Sequence, residues 1–81
     1  MSMNFKPYIT RDPLICGGEP VIIGTRITVR TILASLAEGV STDEILLDFP
    51  TLSRDAVRAV VAFAAASAEE DLPFPATPIL A

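Results

Sequence analysis

Two arginines four residues apart, Arg54 and Arg58, are the side chains with the clearest capacity to act on a partner. That spacing places them on one exposed face of a helix. A guanidinium forms paired hydrogen bonds with guanine or with phosphate. Arg26 and Arg30 repeat the spacing upstream and offer further phosphate contacts, while Ser53 sets a hydroxyl beside Arg54. These five residues are the candidate nucleic-acid contacts. The structural alternative is a solvated face on which Arg58 pairs with Asp55, an arrangement worth little energy.

Other chemistry finds less support. Cys16 has no histidine to activate it, because the chain contains none, and its apolar neighbours favour a buried, inert thiol. A single cysteine excludes an internal disulfide and completes no zinc site. Gly17-Gly18 and Gly24-Thr25 lack the spacing and the lysine of a phosphate loop and fit turns better. Glu69-Glu70-Asp71 at a helix end fits solvated charge better than a metal site. The chain is therefore expected to be no enzyme and to need no cofactor or metal.

Composition bounds the rest. With 81 residues, the chain is long enough for one small domain, near the limit at which an apolar core holds a fold unaided. Half of it is hydrophobic (51%), a surplus that predicts burial against a partner, with a homodimer the expected form. The net charge of −4 excludes indiscriminate nucleic-acid binding but not a local basic face. The most apolar stretch, Ala56 to Ala68, is interrupted by Arg58 and is too short and too weakly apolar to span a bilayer. The first eight residues lack the features of a signal peptide, so a cytoplasmic protein is expected, with no membrane partner.

The elements that position the arginines follow a shared pattern. Val29, Ile32, Leu33, Leu36, Ala37 and Val40 recur at helical spacing, and Gly39 supplies a stop, which predicts a helix over 29–38. Ser41 and Glu44 fit a capping box that starts a two-turn helix over 42–48, ended by Phe49-Pro50. A third helix runs from Arg54 to about Glu69, with Val57, Val60, Val61 and Ala64 as its inner stripe. Each helix start sets a hydroxyl between two apolar residues: Thr28 between Ile27 and Ile32, Ser41 between Val40 and Ile45, Ser53 between Leu52 and Val57. That is a cap flanked by a hydrophobic staple.

The predicted architecture is mainly α. A short β-hairpin-like element fills 1–23, with strands at Leu14-Ile15-Cys16 and Val21-Ile22-Ile23 around the glycines. A three-helix bundle with a helix-turn-helix over 24–70 follows, then an extended, proline-rich tail over 71–81. On that tail Leu72, Phe74, Ile79 and Leu80 have no helix to bury them and are the candidate partner-binding residues.

One run of residues is more specific than any of these patterns. Asp12-Pro13 with Ile15, then Gly17-Gly18-Glu19-Pro20-Val21-Ile22, Gly24-Thr25-Arg26-Ile27 and Val29 form a distinctive signature. It continues through Gly39-Val40-Ser41, Glu44-Ile45-Leu46, Asp48-Phe49-Pro50 and Leu52. From about Ile9 to Ala66 the chain resembles the bacterial and archaeal family known as domain of unknown function 433. The resemblance implies a homeodomain-like fold and an antitoxin role of the VapB type, paired with a PIN-type nuclease toxin. It assigns no role to any residue. The mechanism it implies joins direct binding of the toxin to repression of the operon by a dimer on operator DNA. The alternative is a protein-interaction module that binds no DNA.

Overall fold

The computed structural model describes residues 3–71, and the tail residues Leu72, Phe74, Ile79 and Leu80 lie outside them. The described chain is mainly helical. Two short strands, β1 (Ile9–Thr10) and β2 (Val21–Ile22), precede α1 (Val29–Ala37), α2 (Thr42–Asp48) and α3 (Arg54–Asp71). No helix of the described residues is long and apolar enough to cross a membrane.

The three helices begin where the hydroxyl residues place them. Thr28 Oγ1 accepts the Thr31 N–H at 3.1 Å, and Ser53 Oγ accepts the Ala56 N–H at 3.0 Å. Ser41 and Glu44 close a reciprocal box, with Ser41 Oγ accepting the Glu44 N–H at 3.2 Å and the Glu44 carboxylate accepting the Ser41 N–H at 3.3 Å. At the far end of α1, Gly39 takes a φ of 90°. Its N–H reaches Leu36 O, and the Val40 N–H reaches Ser35 O, both at 3.0 Å. These paired bonds form a Schellman stop and satisfy carbonyls the helix leaves open.

The β element differs from its predicted position. β2 forms at Val21–Ile22, but its antiparallel partner is Ile9–Thr10, in the register Ile9 to Ile22 and Thr10 to Val21. Leu14-Ile15-Cys16 is not a strand. The Asp12 carboxylate accepts the Leu14 N–H at 2.9 Å, and Asp12 O accepts the Ile15 N–H, which turns the chain at Pro13. Cys16, Gly17 and Gly18 then all take positive φ in a short 3₁₀ turn. Three successive left-handed residues cannot lie in a pleated strand. Cys16 is accordingly half-buried on a turn, not buried in a strand, and its thiol lies 3.4 Å from Arg26 O.

Gly24 and Thr25 reverse the chain between β2 and α1. Thr25 donates its hydroxyl to Ile22 O at 2.8 Å and accepts the Ile27 N–H at 3.0 Å. The Ile22 N–H then meets Ile27 O, and the Val29 N–H meets Pro20 O. The signature glycines and Thr25 thus dock the start of α1 onto the sheet.

One core holds these parts together. Ile22, Val29, Ile32, Ile45, Leu52, Ala56, Val57 and Val60 are buried against one another, with Tyr8, Ile9, Leu33, Leu36, Val40 and Phe63 partly buried around them. The staple residues Ile32, Ile45 and Val57 are all in that cluster. The buried stripe of α3 is rotated from the predicted one. Ala59 is fully buried, whereas Val61 is 49% exposed. The rotation follows from the N-terminal segment, which covers a flank of α3 that the sequence pattern left open. Phe5 packs edge-on against Phe63 at 5.2 Å between ring centroids, and Tyr8 and Ile22 line a cleft with Leu52 and Ala56.

Candidate partner and nucleic-acid interfaces

The candidate arginines divide between two faces. Arg54 and Arg58 stand on the first two turns of α3 with side chains 59% and 68% exposed, as a reading face requires. Both have acidic partners. Arg54 Nη2 pairs with the Asp43 carboxylate at the start of α2, and Arg58 Nη1 lies 3.7 Å from Asp55 Oδ1. Such exposed pairs contribute at most about 1 kcal/mol, so they exchange readily for another anion. Ser53 spends its oxygen on the cap of α3.

Arg30, on α1, belongs to a different surface. Its Nη2 lies 3.4 Å from Glu19 Oε1. Together with Arg11 it rims a cavity of about 720 Å³ between the Gly17-Gly18 turn and α1. Val29, Leu33, Ala34 and Ala37 form an aliphatic floor beneath the two guanidinium groups. Among the described residues, no carboxylate lies within 4.0 Å of Arg11 or of Arg26. Arg11 was absent from the sequence-based site. The signal for it was its place next to Asp12-Pro13, where the signature begins.

A second depression, of about 350 Å³, lies between α1 and α3. It is lined by Met3, Leu36, Val57, Val61, Ala62 and Ala65, with Thr42 and Arg58 at its edge. Other large apolar side chains also stand in solvent, Leu14 at 87%, Leu47 at 81% and Ile23 at 48% exposure. In a domain of this size, such groups mark places where a partner can remove apolar surface from water.

Charge separates the two halves of the chain. Residues 1–40 carry Lys6, Arg11, Arg26 and Arg30 against Asp12, Glu19 and Glu38, a net of +1. Residues 41–81 carry Arg54 and Arg58 against Asp43, Glu44, Asp48, Asp55, Glu69, Glu70 and Asp71, a net of −5. The helix pair expected to approach DNA therefore lies in the acidic half, where a phosphate backbone meets net repulsion. Among the described residues, no three His, Cys, Asp or Glu side chains gather as a metal site.

Comparison with known proteins places these features in a family. Residues 9–64 match the model of DUF433, described as a protein of unknown function. The chain is 37% identical over 62 residues to the uncharacterized protein y4eO of Sinorhizobium fredii (strain NBRC 101917 / NGR234), covering 76% of this chain and 28% of that protein. Its fold is similar to the crystal structure of a DUF433 member from Anabaena variabilis, with a TM-score of 0.71 at 31% identity. That match covers 76% of this chain and 61% of the other. The chain thus spans less than a third of the curated relative and about three-fifths of the solved one.

Proposed function

The chain belongs to the DUF433 family, and from that membership we propose that it is a non-catalytic, antitoxin-like module that acts by binding a protein partner, a PIN-type nuclease. The observation that carries this reading is the state of the two candidate surfaces. On α3 the arginines are balanced by carboxylates within a strongly acidic half, which weakens a DNA interface. The depression between α1 and α3 is lined mainly by apolar side chains, with Thr42 and Arg58 beside them, and Val61 among them is half-exposed. Apolar surface of this kind is the common core of protein–protein interfaces, where charged residues are depleted. Binding there would let a small domain bury what its own core leaves open.

The test is co-expression and co-purification of the chain with a PIN-type nuclease. The reading expects a stable complex and loss of nuclease activity. Replacing Val61 by Asp places a charge in the apolar depression without touching the core, and is expected to weaken the complex at least about tenfold. Retention of full affinity by that variant would contradict the assigned surface.

A second reading, repression through a homeodomain-like helix-turn-helix made by α2 and α3, is favoured by one observation. Arg54 and Arg58 are both largely exposed at the start of α3. In that reading the Asp43 and Asp55 pairs break as DNA binds, and the affinity falls steeply with salt. A gel shift on the upstream DNA, repeated with both arginines replaced by Ala, separates it from the first.

A further inference from the structure

The cavity rimmed by Arg11 and Arg30 is left unused by the reading above, and its chemistry is more specific than that of an apolar depression. Two guanidinium groups stand at the mouth and four aliphatic side chains make the floor. A fitting ligand must bring carboxylates and large apolar groups side by side. Nucleic acid fits poorly. Among the described residues, none of the cavity's lining side chains is aromatic, so a base has nothing there to stack on.

The required combination occurs in the chain itself. Glu69-Glu70-Asp71 is followed at once by Leu72-Pro73-Phe74. The other acidic and apolar run, 43–49, is committed to α2, with Ile45 in the core. We infer that the cavity takes residues 69–74 of a second copy of the chain, acids against Arg11 and Arg30, Leu72 and Phe74 over Val29, Leu33, Ala34 and Ala37.

Three observations support a second copy as the source. Among the described residues, none of α3 lines this cavity, and it shares no lining residue with the depression between α1 and α3. In the same chain, Glu69 lies in a cleft with Met3 and Phe5, away from the cavity's lining residues. The half-chains also carry opposite net charge, so the basic half of one copy attracts the acidic half of another. Each copy has one cavity and one segment, and a reciprocal exchange closes a two-fold pair that leaves neither unused. Pro73 and Pro75 reduce the conformational entropy that a docking segment loses.

The test is a charge swap on the full chain, read by light scattering over a concentration series. The parent is expected to dimerise, and more weakly in 1 M salt, where the screening length falls to about 3 Å. One variant carries Arg11→Glu and Arg30→Glu, the other Glu69→Arg, Glu70→Arg and Asp71→Arg. Each alone is expected to raise the dissociation constant on the order of tenfold or more. Mixed in equal amounts, they restore a heterodimer, because both cavity–segment pairs are again of opposite charge. A monomeric parent at tens of micromolar, unchanged dimers in both variants, or failed rescue by variants that keep the parent's helical circular dichroism would overturn the inference. If a reversed variant does not fold, Arg11→Gln with Arg30→Gln serves in its place, and unweakened dimerisation by it has the same consequence. The inference does not rest on the nuclease reading: a variant held monomeric and still able to bind a nuclease leaves it intact.

Discussion

Ile32 illustrates how much of the stability rests on single aliphatic side chains. It is fully buried where α1 meets the rest of the core. Replacing it with Ala removes apolar contact and leaves a void, so the variant is expected to lose about 2–5 kcal/mol of stability in urea unfolding. In a domain this small, that is a large share of the total. The charged residues work on a smaller scale. Arg54→Ala breaks an exposed pair with Asp43, and its expected effect on stability is below about 1 kcal/mol. A larger loss would mean that the pair has a structural role. The contrast between these two substitutions also reflects what the sequence reveals. Arg54 and Arg58 were identifiable as exposed from their spacing, since a helix of known start fixes which residues share a face. Their carboxylate partners were only half legible. Asp55 lies three residues from Arg58 on the same helix, whereas Asp43 comes from another helix, eleven residues away.

At the scale of elements, the helices were legible because their boundaries are local. A hydroxyl, the apolar residues on either side of it and a carboxylate three positions on define a start within a few residues. Ser41→Ala removes one side of the capping box and is expected to cost about 0.5–2 kcal/mol, while Ser41→Asp keeps most of that stability. Gly39 provides a matching test at the other end of α1. Nothing lies within 4 Å of an added Cβ there, so the φ of 90° alone sets the cost of Gly39→Ala, about 1–2 kcal/mol. Gly39→Asn should cost less, because asparagine tolerates the left-handed region better. Thermal unfolding of the four variants checks the set, and equal loss by Ala and Asn at 39 would contradict the backbone account. Strand pairing, by contrast, is not local. The residues that pair with Val21 and Ile22 lie eleven and thirteen positions upstream, beyond a proline turn and the left-handed residues at 16–18. Tyr8-Ile9-Thr10 had the aromatic and β-branched composition of a strand. The run at 14–16 looked similar, and only the turn geometry distinguishes the two. The rotation of α3 has the same origin, since it depends on Phe5 and Tyr8 covering the helix from far away in sequence.

At the scale of the whole molecule, the surfaces matter more than any single group. The arginine-rimmed cavity is assembled from residue 11, residues 17–20 and residues 29–37, so no short window of sequence contained it. The depression between α1 and α3 is likewise a product of packing, and its exposed Val61 lies on a stripe that helical spacing alone places inside. What the sequence did carry at this scale was charge: a basic first half and an acidic second half are visible by counting. That asymmetry bears on the central claim, that the module acts by holding a protein rather than by reading DNA. The most direct measurement is titration of a purified PIN-type nuclease with the parent chain and with the variant carrying Arg54→Ala and Arg58→Ala. The account predicts a defined complex and full inhibition of the nuclease by both proteins, because the binding surface is mainly aliphatic: Arg54 does not line it, and Arg58 is one lining residue beside Met3, Leu36, Val57, Val61, Ala62 and Ala65. A nuclease that neither protein binds or inhibits, together with sequence-specific DNA binding that the double variant loses, would contradict it.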